Sequence, residues 1–231
     1  MQTETDLPPF SAILWDMDGV LVDTFDGHFH AWKQTFDEME HPFTLEDFRR
    51  TFGMNNCLIF RTLLGRELEE MEFQRLSDRK EELFRTSIRG TAQTLPSVRD
   101  WLERFKGWGI RQAVASSAPQ ANIDALLDEL GIRGYFQAVV EGATLRGKPD
   151  PAVFLLAAQL LGAKPSRCLV IEDSVAGVEA ARRAGMCCVA VCTTNPPEKL
   201  TAADLIVQDL SSLTQEQVLS LATPLASLGG A

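Results

Sequence analysis

The stretch ILWDMDGVLVDT, residues 13–24, runs from an apolar segment directly into two carboxylates and a glycine. The overlapping segment SAILWD, residues 11–16, is typical of a short strand buried on both faces. Asp16 and Asp18 stand one residue apart at its end, and Gly19 follows at once. Because ligands bind beyond the carboxyl ends of the strands in an open parallel sheet, this pattern predicts a polar site where the first strand ends.

Beyond about residue 95 the sequence alternates between short apolar runs and helical patterns. Strands are predicted at 111–116, 137–141, 168–173, 186–192 and near 203–207, and helices at 97–107, 120–130, 151–161 and 175–184. Strands that alternate with single helices indicate βαβ units and a mostly parallel sheet. We therefore expect an α/β fold with a Rossmann-like parallel sheet core flanked by helices.

A block of helical patterns separates the first strand from this series. Apolar residues recur there at helical spacing, beginning with Phe29, Trp32, Phe36 and Met39 and continuing around 45–52, 55–64 and 69–88. The block predicts an inserted α-helical cap domain over residues 25–94, with residues 1–24 and 95–231 forming the Rossmann-like core. Asp23 and Thr24 before the block, and residues 94–96 after it, are the predicted hinges.

Composition excludes several classes of protein. The 231 residues are 45% hydrophobic and 23% charged, as in ordinary globular proteins, and the net charge of −10 disfavours binding to nucleic acid or anionic membranes. The sequence has no run of about 18 apolar residues and begins with the polar MQTETDLPPF, so we expect neither a membrane span nor a secretory signal. Its five cysteines lack CxxC or zinc spacing, which predicts buried free thiols in a reducing cytoplasm. We expect a cytoplasmic monomer.

Further polar residues stand at other predicted strand ends or in nearby loops. They are Ser116 and Ser117 after the second strand, Glu172 and Asp173 at the end of CLVIED, and Lys148 in the loop RGKPDP. Two carboxylates about 4 Å apart repel each other by about 4 kcal/mol at an effective dielectric constant near 20, so a cluster of them needs a cation. Oxygen-only ligands favour Mg²⁺.

The same group of residues could act on a phosphoryl group. Lys148 and a serine hydroxyl supply the positive charge and the hydrogen bonds that a phosphoryl group requires. A carboxylate can be the nucleophile in an aspartyl-phosphate mechanism, and Gly19 lets the backbone approach closely. The sequence thus predicts that one carboxylate of the DxD pair attacks phosphorus while its neighbour handles the proton.

Four motifs in order, DMDGVLVDT, the strand end at Ser116, GKPDP and IEDS, resemble the haloacid dehalogenase-like superfamily. The sequence is most similar to the beta-phosphoglucomutase-like phosphatases, which carry a helical cap between the first two motifs. The resemblance implies that Asp16 is the nucleophile and a Mg²⁺ ligand, and that Asp18 is the general acid/base with its carbonyl on the metal. It implies that Ser116 binds the transferring phosphoryl group and that Lys148 balances its charge.

The resemblance also assigns the remaining residues of the strand ends. Asp173 would complete the metal site, and Glu172 would bind the metal directly or through water. Gly19 and Ser117 join Ser116 and Lys148 as predicted phosphate-binding residues.

Two stretches of the cap resemble the mutase branch. In HFHAWK, residues 28–33, the residue matching His28 contacts the acid/base in that branch, whereas the alternative is simple packing beside Trp32. In DRKEELF, Lys80 matches a cap lysine, with a solvated helix face as the alternative. His28, Trp32 and Lys80 are therefore candidate substrate or cap residues.

One cap residue departs from the mutase pattern. In FGMNNCLIF, Asn56 stands where the mutases carry an arginine that grips the remote phosphate. An amide has no charge and cannot make the bidentate grip of a guanidinium. We therefore expect hydrolysis of a small phosphate monoester, with phosphosugar mutation as the alternative. A phospho-receiver signalling module is a less favoured alternative, because the inserted block has no role in one.

Overall fold

The computed structural model describes residues 10–221, and its centre is a parallel sheet of six strands. In chain order the strands are β1 (Ala12–Trp15), β2 (Arg111–Ser116), β3 (Ala138–Glu141), β4 (Cys168–Glu172), β5 (Cys187–Val191) and β6 (Leu205–Val207). Their spatial order is β3-β2-β1-β4-β5-β6. The predicted α/β class and parallel sheet are confirmed.

Nine α-helices accompany the sheet within residues 10–221. Four lie between β1 and β2, namely α1 (Phe25–Glu38), α2 (Leu45–Thr51), α3 (Asn56–Leu64) and α4 (Glu70–Ile88). The other five are α5 (Val98–Gly107), α6 (Gln120–Glu129), α7 (Ala152–Leu160), α8 (Val175–Arg183) and α9 (Gln215–Ser220). No helix in the described part of the chain is both long and apolar enough to cross a membrane.

The central position of β1 explains its uninterrupted apolar sequence. Its two neighbours are β2 and β4, and all four of its residues are fully buried. Ile13 and Trp15 pack into the apolar cluster on one face of the sheet, and Ala12 and Leu14 pack into the cluster on the other. A strand covered on both faces has no polar side, so its sequence does not alternate.

The four inserted helices form an α-helical cap with an apolar cluster of its own. That cluster contains Trp32, Phe36, Phe43, Phe48, Ile59, Phe60 and Leu76. The two connections between cap and core run side by side, because Val22 pairs with Thr94 in an antiparallel bridge and the Leu95 amide donates to the Leu21 carbonyl at 3.1 Å. The domain boundaries at 24/25 and 94/95 stay predictions, as does the hinge role of these two connections. Residues 1–9 and 222–231 lie outside the described residues.

The cysteines differ in part from expectation. All five thiols are free, but Cys57 is exposed, while Cys187 and Cys192 are half-buried. The prediction of buried thiols is therefore wrong for Cys57. It lies in the first turn of α3, whose buried side is formed by Ile59 and Phe60, so its own side chain faces away from the cap cluster.

Candidate active site

Three carboxylates meet at the carboxyl edge of the sheet. One oxygen from each of Asp16, Glu172 and Asp173 lies within 4.8 Å of the others, and all three residues are buried. The register between β1 and β4 explains the convergence. Trp15 pairs with Ile171, and the Asp16 amide donates to the Ile171 carbonyl at 3.0 Å, so both chains leave the sheet at the same level.

Lys148 joins two of these carboxylates. Its Nζ lies 2.5 Å from Asp16 Oδ1 and 2.6 Å from Glu172 Oε1, in a buried position. Burial alone would lower the pKa of Lys148, but the Asp16 and Glu172 carboxylates hold it above its usual value. The lysine is therefore charged and supplies one positive charge to the cluster.

One positive charge does not balance this cluster. Burial raises the pKa of Asp16 to about 7 against the opposing effect of Lys148, and the Glu172 carboxylate adds to the rise. Burial also raises the pKa of Asp173 well above its usual value, again with help from Glu172. A crowded set of oxygen donors short of positive charge fits a hard divalent cation such as Mg²⁺.

The Glu172 side chain is already held by other groups. Its Oε2 accepts hydrogen bonds from the amides of Asp173 and Ser174, both at 2.9 Å, and from the Ser174 hydroxyl at 3.0 Å. The carboxylate lies against the first turn of α8, where a Cβ on Gly177 would stand 1.8 Å from Glu172 Oε1. Gly177 is thus required for this arrangement, and Glu172 is less free to bind a cation than Asp16 or Asp173.

Gly19 brings the DMDG loop against Asp173. Its φ is +81°, and a Cβ there would lie 2.1 Å from Asp173 Oδ2. Two threonines after β5 hold the same region. Thr193 Oγ1 donates to the Gly19 carbonyl, and Thr194 Oγ1 donates to Asp173 Oδ2. The sequence reasoning missed both threonines, although hydroxyl residues after the fifth predicted strand were a usable signal.

Asp18 is held by Thr24, at the predicted hinge, and by His28 in the first helix of the cap. Thr24 Oγ1 donates to Asp18 Oδ1 at 2.5 Å, and His28 Nε2 lies 3.2 Å from the same oxygen. Lys80 Nζ lies 2.9 Å from His28 Nδ1. Because an ammonium can only donate, Nδ1 accepts from Lys80, and the proton on Nε2 points to Asp18.

The protonation states of this chain of contacts follow from burial and charge. Burial, together with the Lys80 ammonium, lowers the pKa of His28, so its ring is neutral at pH 7. Burial alone would raise the pKa of Asp18, but the contacts with His28 and Thr24 hold it below its usual value. Asp18 is therefore an anion fixed in position through one oxygen, and its second oxygen accepts no hydrogen bond from a side chain within residues 10–221.

The surroundings of His28 and Lys80 distinguish between the alternatives given for these two cap residues. The His28 ring stacks on Phe84, with 3.7 Å between ring centroids, in addition to its contact with Asp18. Lys80 is only 3% exposed, so a solvated helix face does not describe it. Trp32 is buried too, and Lys80 Nζ stands 5.1 Å from the centroid of its ring.

Ser116 ends β2, and Ser117 follows it on the core side of the cleft between the cap and the core. Ser116 is buried, and its Oγ accepts a hydrogen bond from the Ala118 amide at 3.0 Å, so it braces the turn that leads to α6. Its hydroxyl proton is still available for donation. Ser117 is half-buried and lines the cleft opposite the cap. By contrast, Asp23 is exposed, and its Oδ1 accepts a hydrogen bond from the Phe25 amide at the start of α1.

Asn56 and Glu81 form a contact that the sequence reasoning did not foresee. Asn56 Nδ2 donates to Glu81 Oε1 at 2.8 Å, and both residues line the cleft between cap and core. A signal for Glu81 exists in the helical phase of α4. Its buried residues include Ser77, Lys80, Glu81, Phe84 and Ile88, which share one face at spacings of three and four.

A family model described as haloacid dehalogenase-like hydrolase matches residues 10–185. The chain belongs to this family. A beta-phosphoglucomutase of Bacillus subtilis is 35% identical over 216 residues, which cover 89% of this chain and 92% of the relative. A fructose-1-phosphate phosphatase of Escherichia coli is 31% identical over 180 residues, covering 77% of this chain and 94% of the relative.

Solved structures extend the likeness to the whole fold. A beta-phosphoglucomutase from Clostridium difficile superposes with a TM-score of 0.84 at 25% identity, covering 92% of this chain and 97% of that one. The predicted haloacid dehalogenase-like family and its beta-phosphoglucomutase-like branch are thereby confirmed. The predicted enzyme class is confirmed as well, namely a phosphoric monoester hydrolase with an intramolecular phosphotransferase as the alternative. Membership of this family favours an enzyme over the phospho-receiver module.

Proposed function

We propose that this haloacid dehalogenase-like protein is a Mg²⁺-dependent phosphatase that hydrolyses a small phosphate monoester, such as a sugar phosphate, through an aspartyl-phosphate intermediate. The observation that carries the proposal is the placement of Asp16 beside a charged Lys148, within 4.8 Å of two further carboxylates. The fructose-1-phosphate phosphatase relative supports a sugar phosphate as substrate.

In the first step a carboxylate oxygen of Asp16 forms a bond to phosphorus, and the bond from phosphorus to the ester oxygen breaks. The Ser116 hydroxyl and the Lys148 ammonium bind the phosphoryl oxygens and offset the negative charge that develops on them. Asp18 gives a proton to the departing alcohol. Asp18 is ionised in the free protein, and the negative charge of a bound phosphate dianion would favour its protonated form.

In the second step water attacks the phosphorus of the aspartyl phosphate. Asp18, now ionised, accepts the proton of the attacking water, and the bond between phosphorus and the Asp16 oxygen breaks. Inorganic phosphate leaves, and Asp16 returns to its carboxylate form. Since His28 and Thr24 orient one Asp18 oxygen, the other is the one that exchanges the proton.

Asp16 and Asp173 are the side chains we assign to Mg²⁺, with the Asp18 carbonyl as a third protein ligand. Glu172 acts through water, because both of its oxygens are already engaged. When bound, Mg²⁺ would neutralise the carboxylate cluster and polarise the phosphoryl group.

Hydrolysis is preferred to mutation because of Asn56. The amide carries no charge, and its Nδ2 already donates to Glu81, so it offers a remote phosphate no strong grip. The mutase alternative is kept because the His28–Lys80 contact and the Bacillus subtilis relative both favour it. The five free cysteines favour a reducing compartment, so we also propose a cytoplasmic location. A monomeric state stays a prediction.

The test is a panel of phosphate monoesters that includes fructose 1-phosphate and beta-glucose 1-phosphate, assayed with Mg²⁺. Released phosphate and isomerised product are measured in the same samples, and rapid acid quenching followed by mass spectrometry locates the phosphorylated residue. We expect phosphate release and phosphorylation of Asp16. Phosphorylation elsewhere, or efficient isomerisation of beta-glucose 1-phosphate with little phosphate released, would overturn the proposal.

A further inference from the structure

Glu81 is a buried carboxylate on the cap wall of the cleft, and the steps above give it no role. It is 4% exposed. Its Oε1 accepts from Lys80 Nζ at 3.0 Å and from Asn56 Nδ2 at 2.8 Å, and its Oε2 accepts from Asn122 Nδ2 at 2.5 Å. Both oxygens are therefore engaged inside the protein.

The contact with Asn122 fixes Glu81 across the boundary between cap and core. Asn122 belongs to α6 of the core and is fully buried, whereas Glu81 belongs to α4 of the cap. The Asn122 Oδ1 in turn accepts from an Arg85 guanidinium nitrogen at 2.9 Å, so the amide is oriented from both sides. Glu81 cannot swing away from Lys80 without breaking this arrangement.

Glu81 cancels the positive charge that the cap would otherwise present. Burial alone would raise its pKa, but Lys80 and the hydrogen bond from Asn56 hold the pKa below its usual value, so the carboxylate is ionised. Among the described residues that line the cleft, Lys80 is the only lysine or arginine. With its charge matched by Glu81, with His28 neutral and with an Asn56 amide proton already used, the cap wall is close to neutral.

We propose that Glu81 is a specificity-determining residue that selects phosphate monoesters with an uncharged remote end and discriminates against bisphosphates. The inference rests on the proposed phosphatase function and narrows its substrate class. A remote phosphate dianion would meet a wall without an unmatched positive charge, because Glu81 already pairs with Lys80, so nothing there offsets the cost of removing the dianion from water. The apolar groups of Trp32, Met54 and Ile59 on the same wall suit the carbon face of a neutral sugar or alcohol instead.

The experiment compares fructose 1-phosphate with fructose 1,6-bisphosphate as substrates of the wild type, Glu81→Gln and Glu82→Gln. Glutamine keeps the size of Glu81 and can still accept from Asn56, but it leaves the Lys80 charge unmatched. Glu82→Gln is the matched control, because it removes the same charge from the next position of α4, where the side chain is 67% exposed. We expect the wild type to favour the monophosphate in kcat/KM by at least about tenfold, the scale of one charge-assisted hydrogen bond.

Glu81→Gln should reduce that preference about tenfold, mainly through a lower KM for the bisphosphate, whereas Glu82→Gln should leave it unchanged. A wild type that uses both esters equally, or an unchanged preference in a folded Glu81→Gln protein, would overturn the inference and leave the phosphatase proposal standing. A second measurement compares the binding of the two esters to Asp16→Asn by calorimetry with Mg²⁺. It depends neither on turnover nor on a substitution at Glu81. If no ester is hydrolysed, the proposed function fails, and weaker binding of the bisphosphate still decides the inference.

Discussion

Replacing Asp16 by asparagine should abolish turnover and, at the same time, stabilise the metal-free protein at neutral and higher pH. The amide is not a nucleophile, which accounts for the loss of activity. The gain in stability has a different origin. Burial disfavours the ionised form of Asp16, the Glu172 and Asp18 carboxylates add repulsion, and Lys148 offsets only part of this cost. An uncharged side chain of the same shape removes this cost.

The magnitude follows from the pKa of Asp16, which folding raises from 3.8 to about 7. A group with a raised pKa contributes stability that is fully present below the unfolded pKa and is lost as the pH rises through the folded pKa. For each pH unit between the unfolded and the folded pKa, the free energy of unfolding of the wild type falls by about 1.4 kcal/mol. The free energy of unfolding of Asp16→Asn should therefore exceed that of the wild type by an amount that grows from near zero at about pH 4 to about 4 kcal/mol at pH 7 and stays constant above it.

Urea denaturation in excess chelator, from pH 4.5 to 8, measures this advantage directly. Asp78→Asn is the matched control, because Asp78 is exposed on α4 and the same substitution there relieves no crowding. Adding Mg²⁺ should stabilise the wild type more than Asp16→Asn, since the variant has one anionic ligand fewer. A destabilised Asp16→Asn protein at pH 8, or an advantage that does not vary with pH, would refute the account of the acidic cluster.

Three further outcomes are expected. Asp18→Asn should slow hydrolysis of sugar phosphates by about 10²–10⁴-fold and that of p-nitrophenyl phosphate by much less, because a good leaving group needs little protonation. Equal losses of rate with both kinds of ester would contradict a general-acid role. Activity should disappear with chelator, and Asp173→Asn should weaken Mg²⁺ binding in calorimetric titration, whereas normal turnover without metal shows that the carboxylates were misassigned. Asn56→Arg should raise the ratio of isomerised product to free phosphate from beta-glucose 1-phosphate. The rise should be larger in combination with Glu81→Gln, because Glu81 would otherwise pair with the new arginine. If the single variant matches the double variant, that pairing does not occur.

The first motif illustrates how much local sequence can predict. A continuous apolar run ending in DMDG led to a central strand, and β1 is that strand, with Asp16 at the carboxyl edge of the sheet. The strand predicted at 168–173 led to Glu172 and Asp173 in the same way. These inferences succeeded because burial on both faces and the end of a strand are local properties, and each leaves its own mark on a few consecutive residues.

The cap wall illustrates the opposite case. Lys80 and Glu81 stand in a charged stretch that suits an exposed helix equally well, and only the packing of α4 against α1 and α6 buries them. Their partners are remote, since Glu81 is 25 residues from Asn56 and 41 from Asn122. The helical phase of α4 could have placed both on the buried face, but it could not have supplied those partners.

By itself, the sequence determined the α/β class, the inserted helices and the chemical types at each strand end, since periodicity and strand termini depend on neighbouring residues. Tertiary structure alone decided that Lys148 joins Asp16 to Glu172, that Thr194 holds Asp173, and that Glu81 neutralises Lys80. Each of these contacts joins side chains from different elements. Their distances and their burial depend on how the strands pair and how the cap packs on the core, and no pattern of neighbouring residues records that packing.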